Sequence, residues 1–250
     1  MYKTAKIIFK PLTDNEENMQ SGIRNILTSL VYNGQIISKY VVEKRGNCFV
    51  ATVTATGEDA LEKENHSNFA EGYIDYFDIE TQLLGDAPFM AEPCSCEKHS
   101  YLVLRHEPGT FTSPVLCGDC GREIPLYKLP NIEEKDENFH IVTWQKMYED
   151  ICELYITSLS DRFTKRQITD CNSQINKLGA KNAGRLEERT GIPVYLFVNS
   201  PMTDWYSRRN TVKKLESCPK CGGTFRKLAD SAVDKVCDKC RLAFMEYVDI

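Results

Sequence analysis

The sequence predicts an α+β protein made of three consecutive segments. Residues 1–90 alternate short β-branched runs with helix-periodic stretches, which is typical of a small antiparallel sheet with helices on one face. Residues 91–204 and 205–250 each contain four closely spaced cysteines among short predicted strands. A long helix-periodic stretch between the two cysteine groups predicts a helical hairpin.

The N-terminal segment contains the elements of one sheet. A predicted strand over residues 6–10 precedes a helix that Gly34 is placed to end. Two β-branched runs, residues 36–42 and 48–56, predict a hairpin, and residues 68–84 are predicted to be helical. The inner face of the sheet is expected to hold these apolar side chains: Ile7, Phe9, Ile37, Val41, Phe49 and Val53.

The middle segment contains an irregular cysteine quartet. Cys94 and Cys96 are one residue apart, and Cys117 and Cys120 form a Cys-x-x-Cys-Gly turn further along the chain. Four thiolates bind one tetrahedral Zn²⁺, so the quartet predicts a metal site, with buried free cysteines as the alternative. His99 is close enough in the sequence to replace one sulfur. Spacing alone does not separate zinc from iron in a four-thiolate site.

The predicted hairpin consists of two helices followed by a strand. The first helix carries an apolar stripe that is expected to lie in the core: Trp144, Met147, Tyr148, Ile151, Leu154, Tyr155 and Leu159. Cys152 lies beside this stripe and is predicted to be a small buried hydrophobe. A second helix is predicted over residues 161–189, and Gly191 and Pro193 stop it before a strand at residues 194–198.

The C-terminal segment has the spacing of a zinc ribbon. Cys218 and Cys221 are followed, after a hairpin-length interval, by Cys237 and Cys240. In such a module each Cys-x-x-Cys turn presents two sulfurs to one ion. The two glycines at 222–223 fit the need of the first turn for positive φ. A disulfide framework is the alternative, and nothing in the sequence marks the chain for export.

Charge is distributed unevenly along the chain. The formal net charge is −5, but residues 206–250 carry ten Lys/Arg and six Asp/Glu, which leaves −9 for residues 1–205. Basic and aromatic residues interleave in and before the ribbon, as they do in modules that stack bases and hold phosphates. The candidate partner-binding residues are Arg208, Arg209, Phe225, Arg226, Lys227 and Arg241. Burial of aromatic residues in the ribbon's own small core is the alternative.

The cysteine motifs support a family resemblance. The Cys218–Cys221 turn with its two glycines, the Cys237–Cys240 turn and the middle quartet resemble an uncharacterised bacterial family of about this length. Members of that family are described as zinc-ribbon-containing and as candidates for nucleic-acid binding. The resemblance implies two cysteine-bound metal sites and does not decide the function.

The motifs favour binding over catalysis. The sequence has no G-x-S-x-G, H-E-x-x-H, P-loop or dinucleotide-binding pattern, and His106-Glu107 does not fit the deaminase signature. Two structural zinc ions are expected, and the protein is expected not to be an enzyme. The expected role is to bind and mask a protein partner through the acidic surface, as an antitoxin or immunity protein masks a toxin. The alternative is nucleic-acid binding through the basic ribbon.

The sequence also predicts a cytoplasmic location. The N-terminal apolar run is too short for a signal peptide, and the longest apolar stretch, residues 194–198, is far below membrane-spanning length. In a reducing compartment the eleven cysteines favour metal binding over disulfides. No membrane partner is expected.

Overall fold

The structure is a computed structural model that describes residues 1–12, 16–67, 72–110, 112–132, 138–157, 159–199, 215–228 and 231–245. The chain divides into two compact units. Unit 1 consists of Met1–Pro93, Phe111–Ser113 and Glu123–Val142, and unit 2 of Cys94–Thr110, Pro114–Arg122 and Thr143–Ile250. The division predicted at residues 90 and 204 stays a prediction.

Unit 1 contains a four-stranded antiparallel sheet. Its elements are β1 (Lys3–Pro11), α1 (Glu16–Tyr32), β2 (Val41–Arg45), β3 (Cys48–Ala55) and β4 (Phe77–Asp86). The strand order is β2-β3-β1-β4, and each neighbouring pair is antiparallel. The β1–α1–β2 connection therefore passes over β3, which is the split β-α-β arrangement. The α+β class predicted for this segment is confirmed.

The core of unit 1 lies between α1 and one face of the sheet. Burial alternates along β1, where Ala5, Ile7 and Phe9 are buried against the apolar face of α1. Phe49 and Val53 of β3 join this core, as predicted. The prediction was wrong for Val41, which is 62% exposed because it pairs with Thr52 on the opposite face. Ile37 was also predicted to lie on the inner face of the sheet, but it packs in a separate apolar cluster. Its neighbour Ile36 enters the core of unit 1 instead.

The prediction of a helix over residues 68–84 was wrong at its C-terminal end. Residues Phe77–Asp86 form β4, which pairs with β1 from Pro11↔Phe77 to Lys3↔Asp86. The Glu, Gln and Leu residues of this stretch favour helices in isolation. Pairing along the whole length of β1 satisfies the strand's backbone groups and outweighs that weak preference.

Unit 2 contains a six-stranded mixed sheet. Its strands are β5 (Leu102–Leu104), β6 (Val115–Cys117), β7 (Val194–Phe197), β8 (Arg226–Lys227), β9 (Lys235–Cys237) and β10 (Leu242–Phe244), in the order β6-β5-β7-β10-β9-β8. Strand β7 is buried throughout and pairs in parallel with β5 on one side and β10 on the other. The two cysteine-rich segments therefore contribute strands to one sheet, on either side of β7.

The helices of the chain's second half are α2 (Phe139–Ile156), α3 (Asp161–Thr169) and α4 (Gln174–Thr190). Trp144 of α2 is fully buried, and its Nε1–H donates to the carbonyl oxygen of Ile175 in α4 at 3.0 Å. Gly179 lets α4 approach β7 closely, because a Cβ at this position would lie 2.8 Å from Leu196 Cδ1. In the described part of the chain, no helix has the length and apolar character needed to cross a membrane.

The apolar stripe predicted on α2 is buried only at its N-terminal end. Trp144 and Tyr148 are inaccessible, whereas Met147, Leu154 and Leu159 are exposed. The prediction of a fully buried stripe was therefore wrong for Met147, Leu154 and Leu159. Cys152 is buried, as predicted, and burial raises the pKa of its thiol to about 12. That thiol is therefore protonated and unreactive at neutral pH.

The prediction of one helix over residues 161–189 was wrong, because the chain turns between α3 and α4. The Asn176 side chain is fully buried, and its Nδ2 donates to the carbonyl oxygens of Gln167, Ile168 and Asp170 at 3.1, 3.2 and 3.0 Å. The Ser173 Oγ accepts from the Asn176 backbone N–H and caps α4. The carbonyl groups left open at the end of α3 are thus satisfied by the next helix.

Replacing Asn176 by alanine is expected to lower the free energy of unfolding by about 2 kcal/mol, because the two Nδ2 protons shared among three carbonyl groups are lost and each hydrogen bond contributes about 1 kcal/mol. Urea unfolding of the variant measures this loss. Asn172→Ala is the matched control, since Asn172 is exposed in the same turn and is expected to change stability by less than about 0.5 kcal/mol. Equal stability of the two variants would contradict the role of Asn176.

Candidate metal centres

The C-terminal quartet forms a compact donor set. The four Sγ atoms of Cys218, Cys221, Cys237 and Cys240 all lie within 4.8 Å of one another. The Cys221 and Cys237 sulfurs are 3.7 Å apart. A tetrahedral zinc ion with Zn–S bonds of about 2.3 Å requires sulfur–sulfur distances of about 3.8 Å. The donor atoms therefore fit a single zinc ion.

The first turn of this set has a fixed backbone pattern. The Cys218 N–H donates to the Gly223 carbonyl oxygen at 2.9 Å, and the Gly222 N–H donates to the Cys218 carbonyl oxygen at 2.8 Å. Gly222 has a φ of 69°, which confirms the predicted need for a glycine, whereas Gly223 has no such conformation. The turn holds both of its cysteines toward the same point.

The middle quartet forms a second compact donor set. The Sγ atoms of Cys94, Cys96, Cys117 and Cys120 also lie within 4.8 Å of one another, and the Cys94 and Cys120 sulfurs are 3.4 Å apart. The Cys96 backbone N–H donates to the Cys94 sulfur at 3.3 Å. The Cys-x-Cys pair, although unusual in spacing, therefore presents both of its sulfurs to the site. The predicted quartet is brought together without a histidine among its members.

The same backbone turn recurs in the middle site. The Cys117 N–H donates to the Arg122 carbonyl oxygen at 2.8 Å, and the Gly121 N–H donates to the Cys117 carbonyl oxygen at 2.9 Å. Gly121, with a φ of 70°, occupies the position that Gly222 occupies in the ribbon. The third turn, after Cys237, places Arg241 at this position with a φ of 52°. Only the first two turns use the residue that adopts this conformation without strain.

Chemically, the two tetrads are closed sites. Four sulfurs fill the tetrahedral coordination of zinc and leave no ligand position for water, which is the arrangement of structural rather than catalytic zinc. The two tetrads could hold two zinc ions. The donor set alone also suits iron, because both ions accept four thiolates.

Burial opposes ionisation of several ligand thiols when no ion is bound. Desolvation raises the pKa of Cys240 to about 12 and raises those of Cys94, Cys117 and Cys237. The pKa of Cys221 is lowered to about 7, mainly by the backbone N–H of Gly223. Since a metal binds the thiolate, loading must displace protons from most ligands. Metal affinity should therefore fall as the pH falls.

The predicted partner-binding residues of the ribbon are largely engaged in contacts within unit 2. Arg226 Nε and Nη2 donate to the Asp238 carboxylate at 3.0 and 2.8 Å, and Arg226 lowers the pKa of that carboxyl to about 2. Arg241 Nη2 donates to Glu187 at 2.8 Å. Both guanidinium groups also donate to the Tyr195 hydroxyl. These cations are therefore partly neutralised by the protein itself.

The other residues of that predicted set differ in their surroundings. The Phe225 ring packs edge-to-face on Phe244, with centroids 5.3 Å apart, as expected for a small module that buries aromatics in its own core. Lys227 lies exposed on β8. Arg208 and Arg209 lie outside the described residues.

Unit 2 contains a buried pair of titratable side chains, His106 and Glu149, that the sequence did not predict. His106 Nε2 and Glu149 Oε2 are 2.5 Å apart, and the Glu149 carboxylate also accepts the Gly109 backbone N–H at 2.9 and 3.2 Å. The Tyr148 ring lies against the imidazole, with centroids 5.7 Å apart. The carboxylate thus attaches the 106–109 loop to α2. His106 and Glu149 are 43 positions apart in the sequence, so no local motif indicates that they form a pair.

We expect this pair to make stability depend on pH. Burial lowers the pKa of His106, and Glu149 and Glu107 only partly oppose this effect. The unfolded chain, with an ordinary pKa of about 6.5, therefore binds the proton more readily. Stability should fall as pH drops below about 6.5, by at most about 1.4 kcal/mol per pH unit from this group.

Urea unfolding between pH 5 and 8 tests this expectation. His106→Gln keeps an N–H donor for Glu149 but cannot titrate, so its stability profile should be flatter than that of the wild type below pH 6.5. Loss of metal at low pH affects both proteins and cancels in the comparison. Parallel profiles would contradict the assignment.

Fold and sites together define an α+β protein with two four-cysteine clusters that could each hold a metal ion. Residues 96–199 match the family described as "Domain of unknown function (DUF2310)". Two proteins of Haemophilus influenzae (strain ATCC 51907 / DSM 11121 / KW20 / Rd), both named "Uncharacterized protein", are similar to this chain. The first is 28% identical over 252 residues, covering 92% of this chain and 93% of the relative. The second is 30% identical over 171 residues, covering 64% of this chain and 78% of the relative.

The chain therefore belongs to the family of these uncharacterised bacterial proteins, which confirms the coarser part of the predicted resemblance. Neither relative's name mentions zinc or nucleic acid. No solved structure matches the chain significantly.

Proposed function

We propose that the protein is a non-enzymatic, zinc-binding interaction protein that docks and masks a protein partner, in the manner of an antitoxin or immunity protein. The observation that carries this proposal is the exposure of large apolar side chains on α2 and on the chain that follows it. Five large apolar side chains within residues 147–163 are exposed, and together they are termed the α2–α3 patch: Met147, Leu154, Ile156, Leu159 and Phe163.

Exposure in the α2–α3 patch is substantial rather than marginal. Leu159 is 61% exposed and Phe163 is 56% exposed, although both follow a helix in which Trp144 and Tyr148 are buried. Large apolar side chains exposed along one short segment of the chain support a role in protein contact. The net charge of −9 over residues 1–205 favours a basic partner, because complementary charge speeds association and excludes wrong partners.

A structural role for the metal supports the non-enzymatic part of the proposal. Both tetrads are complete with sulfur and offer no coordination position for a substrate or an activated water. In this function the ions brace the six-stranded sheet, and the protein acts through its surface.

Nucleic-acid binding through the ribbon is the second candidate, and the net charge of +4 over residues 206–250 favours it. Two observations weigh against it. Arg226 and Arg241 already pair with Asp238 and Glu187. The ring of Phe225, the candidate for base stacking in the ribbon, packs edge-to-face on Phe244 within the same module.

Site-specific photo-crosslinking in the native host tests the proposal. A crosslinking amino acid at position 159 or 163 is expected to capture one basic protein in stoichiometric yield. The matched control is position 41, because Val41 is equally exposed and apolar but lies on β2. The captured protein should lose its toxicity when co-expressed with the wild type and keep it with a Leu159→Asp, Phe163→Asp variant.

Two results would overturn the proposal. Crosslinks at 159 and 163 that match those at 41 would remove the α2–α3 patch as a docking surface. A salt-sensitive gel shift that Lys227→Glu weakens would instead support the nucleic-acid function, since phosphate contacts release counterions.

A further inference from the structure

The middle metal site has one feature that the ribbon site lacks in the described part of the chain. His99 Nδ1 lies 3.4 Å from the Cys117 sulfur, and His99, Cys117 and Asp119 form a donor group that shares only Cys117 with the tetrad. His99 is therefore not a member of the set of four sulfurs. It contacts that set from outside, at one ligand.

We propose that His99 is a positioning residue that donates its Nδ1–H to the Cys117 thiolate when the middle tetrad holds its metal ion. A thiolate bound to zinc has no proton to give, so the imidazole must act as the donor across this 3.4 Å contact. This fixes the tautomer with hydrogen on Nδ1. The inference rests on metal loading of the middle tetrad.

The charge of the loaded site explains why such a donor is useful. A divalent ion with four thiolates carries a net charge of −2, and Cys117 is completely buried at the end of β6. Burying negative charge is costly unless donors surround it. The backbone N–H groups of Asp119 and Cys120 already face Cys117, and the imidazole adds a side-chain donor.

The neighbouring carboxylate favours this role over a second metal site. Asp119 Oδ2 accepts the Ser100 backbone N–H at 2.7 Å and lies 3.9 Å from the Cys117 sulfur. That hydrogen bond joins the chain just after His99 to the Cys117–Cys120 turn. Asp119 thus holds the segment that carries His99 in place and does not need a metal to explain its position.

Outer hydrogen-bond partners of metal ligands typically contribute ten- to a hundredfold to metal affinity. His99→Ala is therefore expected to weaken the middle site by about that factor in chelator competition, while the ribbon site of the same molecule stays unchanged. His99→Gln, which can still donate an N–H, is expected to recover part of the loss. The ribbon tetrad is the internal control.

Nuclear magnetic resonance of the full chain loaded with ¹¹³Cd supplies the readout that a merely structural role would not move. Two cadmium resonances are expected, and the Nδ1–H proton of His99 should show scalar coupling to the cadmium of the middle site through the hydrogen bond. Direct coupling of a His99 nitrogen to that cadmium would make His99 a ligand and overturn the proposal.

Three other results would also overturn it. A third cadmium that His99→Ala removes would show a second ion bound by His99, Cys117 and Asp119. Unchanged affinity of the middle site in His99→Ala, with no coupling, would show that the contact contributes nothing. Absence of any middle-site resonance would show that the middle tetrad does not bind the metal. The proposed docking function would still be tested separately by crosslinking.

Discussion

Replacing Cys221 by serine is expected to release one of two zinc ions and to unfold the ribbon. A structural zinc ion contributes about 10–16 kcal/mol of binding free energy, and in a small module most of this becomes folding free energy. The ribbon's own strands are short, since β8, β9 and β10 are two or three residues long. The damage should reach β7, because β10 pairs with it directly.

Metal analysis and segment-resolved hydrogen exchange measure both effects. The variant should contain one zinc per chain, and β7 to β10 should lose protection while β1 to β4 of unit 1 keep it. Cys48→Ser is the matched control, because Cys48 lies on β3 outside both tetrads and should leave two ions bound. Full zinc content in Cys221→Ser would show that the ligand assignment is wrong.

The two metal centres could be predicted from the sequence because their signals are local. Each Cys-x-x-Cys turn places two sulfurs within one loop, and in two of the three turns a following glycine indicates the backbone conformation of that loop. Gly222 has the positive φ that was predicted for this turn, and Gly121 has the same conformation in the middle site. What spacing could not show is which additional groups lie against the sulfurs. The contact of His99 with Cys117 depends on the path of the chain between them.

The sheet of unit 2 could not be predicted because its pairings are non-local and its strands are short. Strand β7 joins β5 and β10, and β10 pairs with β7 at two positions, Leu242↔Leu196 and Ala243↔Phe197. A strand of three residues carries no measurable periodicity. The ribbon's place in a larger sheet is therefore a tertiary property, which residue spacing within the ribbon does not encode.

Counts of charged residues did not predict which cations of the ribbon are free to bind a partner. The ribbon is basic by composition, but composition does not say whether a cation is free. Arg226 and Arg241 are held by acidic partners 12 and 54 positions away. The same limitation explains the missed interruption between α3 and α4, where one amide group, that of Asn176, satisfies three carbonyl groups that a continuous helix would satisfy itself.

Gly34→Ala is expected to be the most damaging single methyl addition in unit 1. Gly34 follows the end of α1 with a φ of +72°, and the Gln35 N–H donates back to the Leu30 carbonyl oxygen at 2.9 Å, as in a glycine-capped helix end. A Cβ at Gly34 would lie 2.4 Å from Leu126 Cβ and 3.1 Å from Leu126 Cα. The substitution therefore imposes backbone strain and a steric clash together.

The expected loss in the free energy of unfolding is about 2–5 kcal/mol, from about 1–2 kcal/mol of left-handed strain and about 1–3 kcal/mol of overpacking. Gly46→Ala separates the two contributions, because Gly46 has a similar φ of +61° with nothing within 4 Å of an added Cβ. This control should lose only the strain energy. Urea unfolding of both variants measures the two losses. Equal losses would show that Leu126 moves to accommodate the new methyl group and that the clash does not destabilise unit 1.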